Sequence, residues 1–240
     1  MLAKTSNVTN LTAAERLIVA LDFPTVDAAR ACVARLNDID LVFKIGLELI
    51  YAGGLALAEE LAGAGRKVFI DAKLLDIGNT VEKATANIAK LGVTYLTVHG
   101  IDTKTMAAAV AGRGDSAMKL LANAVMTNLT PDDLAEQGIT RPLEELVVHR
   151  AKLAKAAGFD GVVPSAKEAA MIRAAVGDDL LIVTPGIRPA GTDTGDQARV
   201  MTPAKAIAAG ATHLVVGRPI TQADDPATAA NAIVAEIAST

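Results

Sequence analysis

The chain has 240 residues, of which 51% are hydrophobic, so it can bury a sizeable core, and disordered or collagen-like classes are excluded. Its 23 Lys and Arg residues stand against 27 Asp and Glu residues. This balance leaves no broad basic surface for a nucleic-acid backbone, and we expect no nucleic-acid partner. The single cysteine, Cys32, cannot close an intramolecular disulfide or build a cysteine-based zinc site.

The N-terminal segment predicts no targeting or membrane function. Residues 1–12 form a polar tail rich in Asn and Thr, without the apolar stretch of a secretory leader. Elsewhere in the sequence, no run approaches the roughly 18 consecutive apolar residues of a membrane helix. We therefore expect a cytoplasmic protein with no membrane partner.

Short β-branched runs alternate with longer Ala-rich segments of helical period, a pattern typical of repeated βα units and a parallel sheet. The predicted strands cover residues 17–22, 41–46, 67–72, 94–99, 121–127, 160–163, 180–185 and 213–217. The predicted helices cover residues 25–37, 47–63, 79–91, 142–157, 165–176, 202–209 and 226–238. Prolines at helix starts and glycines after helix ends agree with this periodicity.

Eight predicted strands, whose ends lie about 28 residues apart on average, suit a single (β/α)₈ TIM barrel. We predict one α/β domain over residues 1–240, since no linker-like segment marks a boundary. A doubly wound sheet is the alternative. It is less favoured because the dinucleotide fingerprint GxGxxG is absent after the first strand, which ends Leu21-Asp22-Phe23-Pro24.

Charged residues interrupt or follow three otherwise apolar strands, at the barrel end where chemistry collects in this fold. Asp71 and Lys73 lie two apart on one strand and so point to the same face, and Lys44 can reach them from the neighbouring strand. We expect Lys44, Asp71, Lys73 and Asp76 to neutralise one another, with Lys73 kept protonated by the carboxylates. From spacing alone, the alternative is a purely structural cluster of ion pairs that closes the barrel mouth and catalyses no reaction.

A second cluster follows the last two predicted strands. Arg188 comes just after the seventh strand, Gln197 lies in the next loop, and Gly217 and Arg218 end the eighth strand. Loops at these places often hold phosphate in such barrels, through backbone N–H groups and an arginine. We therefore expect a phosphorylated small substrate, with a solvated glycine-rich loop as the alternative.

The histidines and serines of the sequence do not indicate a further metal site or a hydrolase site. The histidines, His99, His149 and His213, are too scattered to indicate a metal site. A hydrogen-bonding role is favoured over catalysis for His99, and no serine stands in a GxSxG elbow. We expect neither a metal nor a cofactor.

Five runs of the sequence occur together: Leu21-Asp22-Phe23, Phe43-Lys44-Ile45-Gly46, Asp71-Ala72-Lys73-Leu74-Leu75-Asp76-Ile77-Gly78-Asn79-Thr80, Pro185-Gly186-Ile187-Arg188 and Val216-Gly217-Arg218-Pro219-Ile220. Through these runs, and from about residue 17 to 230, the chain resembles the bacterial type of orotidine 5′-phosphate decarboxylase. The resemblance implies cofactor-independent decarboxylation of orotidine 5′-monophosphate to UMP in pyrimidine biosynthesis. It also implies that Lys73 stabilises and protonates the carbanion formed at C6 of the pyrimidine.

The same resemblance implies roles for individual residues. Lys44, Asp71, Lys73 and Asp76 would form a catalytic tetrad of charges. Substrate contacts would come from Asp22, Lys44, Ile77, Thr80, Thr127, Arg188, Gln197, Gly217 and Arg218. Asp76, Ile77 and Thr80 would complete the site of a partner subunit, which implies a homodimer with shared active sites. Asn128 and Pro164 depart from the Ser and Cys usual in the family.

Two other functions stay open. A Mg²⁺-dependent 3-keto-L-gulonate 6-phosphate decarboxylase or hexulose phosphate synthase would share the DxKxxD run, but Lys44 stands where such enzymes carry an acidic residue. A non-catalytic nucleotide-binding barrel is the other alternative, against which the intact Asp71 and Lys73 speak.

Overall fold

A computed structural model describes residues 11–189 and 201–240. Its eight parallel strands close into a barrel in sequential order, with β8 pairing with β1. The strands are β1 (Leu17–Ala20), β2 (Val42–Gly46), β3 (Lys67–Leu74), β4 (Tyr95–His99), β5 (Lys119–Asn123), β6 (Gly161–Val162), β7 (Leu181–Thr184) and β8 (His213–Val216). The prediction of a TIM barrel is confirmed, and the doubly wound alternative is wrong.

Helices follow the strands around the barrel. They are α1 (Val26–Ala34), α2 (Leu47–Leu49), α3 (Leu55–Gly63), α4 (Gly78–Ala89), α5 (Thr103–Arg113), α6 (Pro131–Glu136), α7 (Leu143–Ala156), α8 (Ala169–Val176), α9 (Pro203–Ala208), α10 (Arg218–Thr221) and α11 (Pro226–Ala238). A π-helical segment, Ile50–Gly54, joins α2 to α3, and a 3₁₀ turn, Ala166–Glu168, precedes α8. None of these described helices is long and apolar enough to cross a bilayer.

Side chains that alternate along the strands fill two separate layers. Those that point outward pack against the helices and form the larger core. Those that point inward fill the barrel axis, and include Ile18, Val42, Phe69, Tyr95, Leu121, Leu181 and Val215. Because this interior is packed, a ligand site can open only at an end of the barrel.

The predicted helix over 47–63 is broken in the structure. Gly53 adopts a left-handed conformation with φ of 95°, and the chain passes through the π-helical segment there. At Gly54 the backbone approaches Leu49 so closely that a Cβ would lie 2.6 Å from the Leu49 carbonyl oxygen. This close approach needs glycine and was not visible in the apolar pattern.

Other element boundaries also differ from the prediction. Helices α5 and α6 were not predicted; each begins with a side-chain cap, from Asp102 and Thr130 respectively. The strand predicted over 121–127 ends at Asn123 instead. The buried Ala124 and Val125 prolong the apolar run beyond the ladder, so the pattern overestimated the strand.

Candidate active site

A cavity of about 690 Å³ opens where β1, β2, β3, β7 and β8 end. This size lies in the range typical of sites for small molecules. The two residue clusters predicted from sequence both reach it. Its charged lining consists of Asp22, Lys44, Asp71, Lys73, Arg188 and Arg218.

Carboxylates and ammonium groups alternate along one side of this cavity. Lys44 Nζ lies 3.0 Å from Asp22 Oδ1 and 3.7 Å from Asp71 Oδ2. Lys73 Nζ lies 2.8 Å from Asp71 Oδ1. The structure thus forms a charged row, Asp22–Lys44–Asp71–Lys73, whose formal charges cancel.

Burial and neighbouring charge act in opposite directions on Asp71. Its side chain is 14% exposed, and burial alone would raise the pKa of the carboxyl group. The ammonium groups of Lys44 and Lys73 and the hydroxyl of Thr97 outweigh burial and hold that pKa below its ordinary value. Asp71 is therefore anionic at neutral pH and fixes both ammonium groups electrostatically.

The backbone at Lys73 is not that of the regular strand expected from sequence. Its φ is 47°, and among the described residues it is the one residue other than glycine with a positive φ. The pairing of β3 with β4 also shifts register between Ile70 and Leu74. The expected proximity of Lys73 to Asp71 holds, but an irregular backbone brings it about.

Two arginines and two glycines form the other side of the cavity. Arg188 is buried, with its guanidinium donating to the Ile187 carbonyl oxygen at 2.9 Å. Gly217 ends β8, and Arg218 begins α10 directly after it. Gly186, which adopts a φ of 74°, also lines this side. The guanidinium groups suit an anionic ligand group, while the predicted Gln197 lies outside the described residues.

Four predicted site residues do not line the cavity of their own chain: Asp76, Ile77, Thr80 and Thr127. Asp76 does not lie beside Lys73 in the cavity of its own chain. Asp76 instead accepts a hydrogen bond from the Ile77 backbone N–H at 2.6 Å, in the exposed turn before α4. Asp22 takes the fourth place in the charged row.

The remaining three of these residues lie on the surface or in a turn. Ile77 is 72% exposed, and Thr80 is exposed in the first turn of α4. Thr127 lies half-buried in a turn beyond the end of β5, not at a strand end as predicted. Its neighbour Asn128 is exposed, and Pro164 is buried after β6.

His99 ends β4 near the charged row. Burial, Lys73 and Arg150 lower the pKa of its imidazole, although Asp71 opposes them, so the ring is neutral at pH 7. Within residues 11–189 and 201–240, no group of three or more His, Cys, Asp or Glu side chains could hold a metal ion.

Sequence reasoning missed Thr97. This threonine is fully buried in β4, and its hydroxyl contacts Asp71 at 2.8 Å. Its one signal in the sequence is a polar residue inside the apolar run Tyr95–Val98, on the strand next to the charged one.

Taken together, the closed barrel and the charged cavity at its C-terminal mouth define a (β/α)₈-barrel enzyme. Residues 15–233 match the family described as "Orotidine 5'-phosphate decarboxylase / HUMPS family", and the chain belongs to that family.

Individual relatives agree with this assignment. A protein from Afipia carboxidovorans named orotidine 5′-phosphate decarboxylase is 59% identical over 224 residues, which cover 93% of this chain and 95% of that protein. One of the same name from Rhodopseudomonas palustris is 57% identical over the same shares of the two chains. The crystal structure of orotidine 5′-phosphate decarboxylase from Lactobacillus acidophilus superposes with a TM-score of 0.83 at 38% identity, covering 93% of this chain and 99% of that one.

Proposed function

We propose that this protein is a carboxy-lyase that converts orotidine 5′-monophosphate to UMP in pyrimidine biosynthesis. The observation that carries the proposal is the charged row Asp22–Lys44–Asp71–Lys73 in one cavity with Arg188 and Arg218. Family membership and relatives of that name, at 59% and 57% identity, support the same reaction.

The reaction breaks the bond between C6 of the pyrimidine and its carboxylate. CO₂ leaves, and the bonding electron pair stays on C6 in an orbital in the ring plane, where the ring provides no conjugated sink. A cation fixed beside C6 before the reaction begins stabilises this carbanion without the cost of reorganising solvent. The Lys73 ammonium supplies that charge, then donates a proton to C6 and regains one from solvent.

Asp71 fixes the position of this ammonium group. Its carboxylate lies between Lys73 and Lys44, and its own negative charge is secured by both. Because the ion pair is formed before the substrate binds, the carboxylate holds Nζ of Lys73 in place throughout the reaction. Asp22 and Lys44, at the outer end of the charged row, would contact the ribose hydroxyls.

The phosphate is remote from the bond that breaks, but its binding energy still serves the reaction. Arg188, Gly217 and Arg218 would bind it on the far side of the cavity, with Gln197 bridging phosphate and base and Thr127 near the ligand. Binding energy from a remote group can align the pyrimidine against Lys73, which raises kcat as well as affinity.

A homodimer would complete the site. Leu75 and Ile77, which flank Asp76, are 50% and 72% exposed, and Tyr51 is 87% exposed. Exposed apolar side chains that lie close together, as Leu75 and Ile77 do on either side of Asp76, are typical of a surface that a partner covers. A second copy seated there would bring Asp76, Ile77 and Thr80 to its neighbour's cavity, and each active site would be shared.

The wider setting follows from the reaction. Its substrate is a free nucleotide, so the enzyme would work in the cytoplasm, where nucleotides are made. The net charge of −4 favours neither a nucleic-acid partner nor an anionic membrane surface.

The test is turnover by the purified protein, followed as loss of the orotate absorbance. We expect decarboxylation of orotidine 5′-monophosphate to be equal with EDTA and with added Mg²⁺, and no turnover of 3-keto-L-gulonate 6-phosphate. Activity that needs Mg²⁺ and prefers the keto sugar phosphate would favour the other branch of the family. Binding of UMP without turnover of either substrate would favour a non-catalytic barrel.

A further inference from the structure

Strand β3, which carries Asp71 and Lys73, is not matched residue for residue with its neighbour β4. Ile70 of β3 pairs with Leu96 of β4, and the next pair is Leu74 with Val98. Three residues of β3, numbers 71–73, therefore lie opposite a single residue of β4, Thr97. Both Asp71 and Lys73 belong to this bulge.

Residues in a β-bulge lose backbone hydrogen bonds that a regular strand pairing would provide. The Thr97 side chain replaces one of these bonds. Its hydroxyl accepts a hydrogen bond from the backbone N–H of Lys73 at 3.0 Å. This contact secures the backbone at a residue whose left-handed conformation is disfavoured for any side chain with a Cβ. The hydroxyl thus does what a carbonyl oxygen does in a regular ladder.

The same hydroxyl also fixes the carboxylate. It donates its proton to Oδ1 of Asp71 at 2.8 Å, the oxygen that also accepts from Lys73 Nζ at 2.8 Å. The other oxygen, Oδ2, is left facing Lys44 at 3.7 Å. One buried hydroxyl therefore links the main chain of Lys73 to the carboxylate that holds its side chain.

We propose that Thr97 is a positioning residue of the decarboxylase, which holds the Asp71–Lys73 pair in its reactive geometry through both hydrogen bonds of its hydroxyl. The inference rests on the proposed function. Thr97 is fully buried and is not part of the cavity lining, so it acts through Asp71 and Lys73.

Burial of a threonine alone does not imply such a role. The hydroxyl of Thr85, on α4, is equally buried, yet no described group hydrogen-bonds to it. Thr85→Val is therefore a matched control, because it also removes a buried threonine hydroxyl, but at a position that contacts no residue of the charged row.

The experiment compares Thr97→Val, Thr97→Ser and Thr85→Val in the purified enzyme. Valine keeps the shape and removes the hydroxyl, whereas serine keeps the hydroxyl. We expect Thr97→Val to lower kcat on the order of 10²-fold, the effect of a misplaced reacting group. We expect KM and the affinity for UMP to stay within about threefold, because Thr97 contacts none of the groups proposed to bind the nucleotide directly. Thr97→Ser and Thr85→Val should retain near wild-type kcat.

A loss of kcat below about tenfold in Thr97→Val would overturn the proposal, as would an equal loss in Thr97→Ser. If Thr97→Val does not fold, Thr97→Ala is measured instead. Failure of both to fold would make Thr97 a purely structural residue and would also overturn the proposal.

Crystal structures of the variants decide the point independently of turnover. In Thr97→Val we expect Lys73 to leave its left-handed conformation and its Nζ to move out of hydrogen-bonding distance of Asp71. An unchanged ion pair would contradict the inference even if the enzyme were impaired. Failure of the wild-type protein to decarboxylate orotidine 5′-monophosphate would count against the proposed function alone.

Discussion

Lys44 and Asp22 form an ion pair across the boundary between the barrel interior and the cavity. Lys44 Nζ lies 3.0 Å from Asp22 Oδ1, and the two side chains are 9% and 56% exposed. The Lys44 side chain is therefore fixed by its burial in the barrel, while the Asp22 carboxylate is accessible to a ligand in the cavity. This asymmetry suits a pair that binds ribose hydroxyls.

Gly46 offers a way to disturb this pair without replacing either charged residue. A Cβ at Gly46 would lie 2.9 Å from Lys44 Nζ and 3.1 Å from Asp22 Oδ1, and its extended backbone is open to alanine. We expect Gly46→Ala to raise KM for orotidine 5′-monophosphate roughly 10-fold or more, the loss of one charged hydrogen bond. The melting temperature should stay near that of the wild type. Gly63→Ala is the control, since a Cβ there meets nothing within 4 Å. An unchanged KM in Gly46→Ala would show that Lys44 and Asp22 do not bind the ribose.

Replacing Arg218 tests the side of the cavity that is proposed to bind phosphate. Replacing its guanidinium with alanine removes a charge-assisted contact worth about 1.5–3 kcal/mol. We expect Arg218→Ala to raise KM for the phosphorylated substrate about 10- to 100-fold and to lower kcat, because phosphate binding also aligns the base. Orotidine, which lacks the phosphate, should be processed equally slowly by wild type and variant. Equal losses on the two substrates would refute the phosphate assignment.

His213 should control how stability depends on pH. Its ring is fully buried, with Nε2 3.1 Å from the Tyr95 hydroxyl. Burial, together with Lys119 and Arg16, lowers the pKa of the imidazole to about 3. An unfolded chain would take up this proton near pH 6.5, so the unfolded state binds more protons between these values. The free energy of unfolding therefore falls as the pH is lowered through this window.

Urea unfolding at pH 7 and pH 5 measures this effect. We expect His213 to account for about 2 kcal/mol of the stability lost between the two pH values. His213→Gln cannot titrate but keeps a hydrogen-bonding group for the Tyr95 hydroxyl, so it should lose less stability over this interval. The same pH dependence in both proteins would show that protonation of His213 is not responsible.

Subunit complementation tests whether active sites are shared. We expect Lys73→Ala and Asp76→Ala to be inactive as separate homodimers. After the two are mixed and allowed to exchange subunits, half of the dimers are hybrids, and each hybrid has one site with both residues intact. About a quarter of the wild-type activity should return. A mixture that stays inactive although hybrid dimers form would show that Asp76 serves its own chain.

Much of the fold could be predicted because it is encoded locally. Apolar periodicity and the regular spacing of strand ends predicted the barrel, and the charges at Lys44, Asp71 and Lys73 predicted the cluster. Glycine and arginine after β7 and β8 likewise predicted the second side of the cavity.

The features that the sequence alone did not define depend on relationships that no single segment encodes. Whether Asp76 faces its own site depends on how the chain turns after Leu74, and the turn directs it to the surface. The left-handed backbone of Lys73 and its hydrogen bond to Thr97 arise from a register shift between two strands. Asp22 enters the charged row because Lys44, paired with the preceding strand, reaches it.

The central claim is that the Lys73 ammonium stabilises and protonates C6, and the most direct measurement is turnover of orotidine 5′-monophosphate by Lys73→Ala. Lys152→Ala, on the exposed face of α7, serves as the control. We predict that Lys73→Ala binds UMP and assembles as the wild type does, while its kcat falls by at least about 10²- to 10⁴-fold, the contribution of a general acid. A Lys73→Ala enzyme with kcat near that of Lys152→Ala would contradict the account.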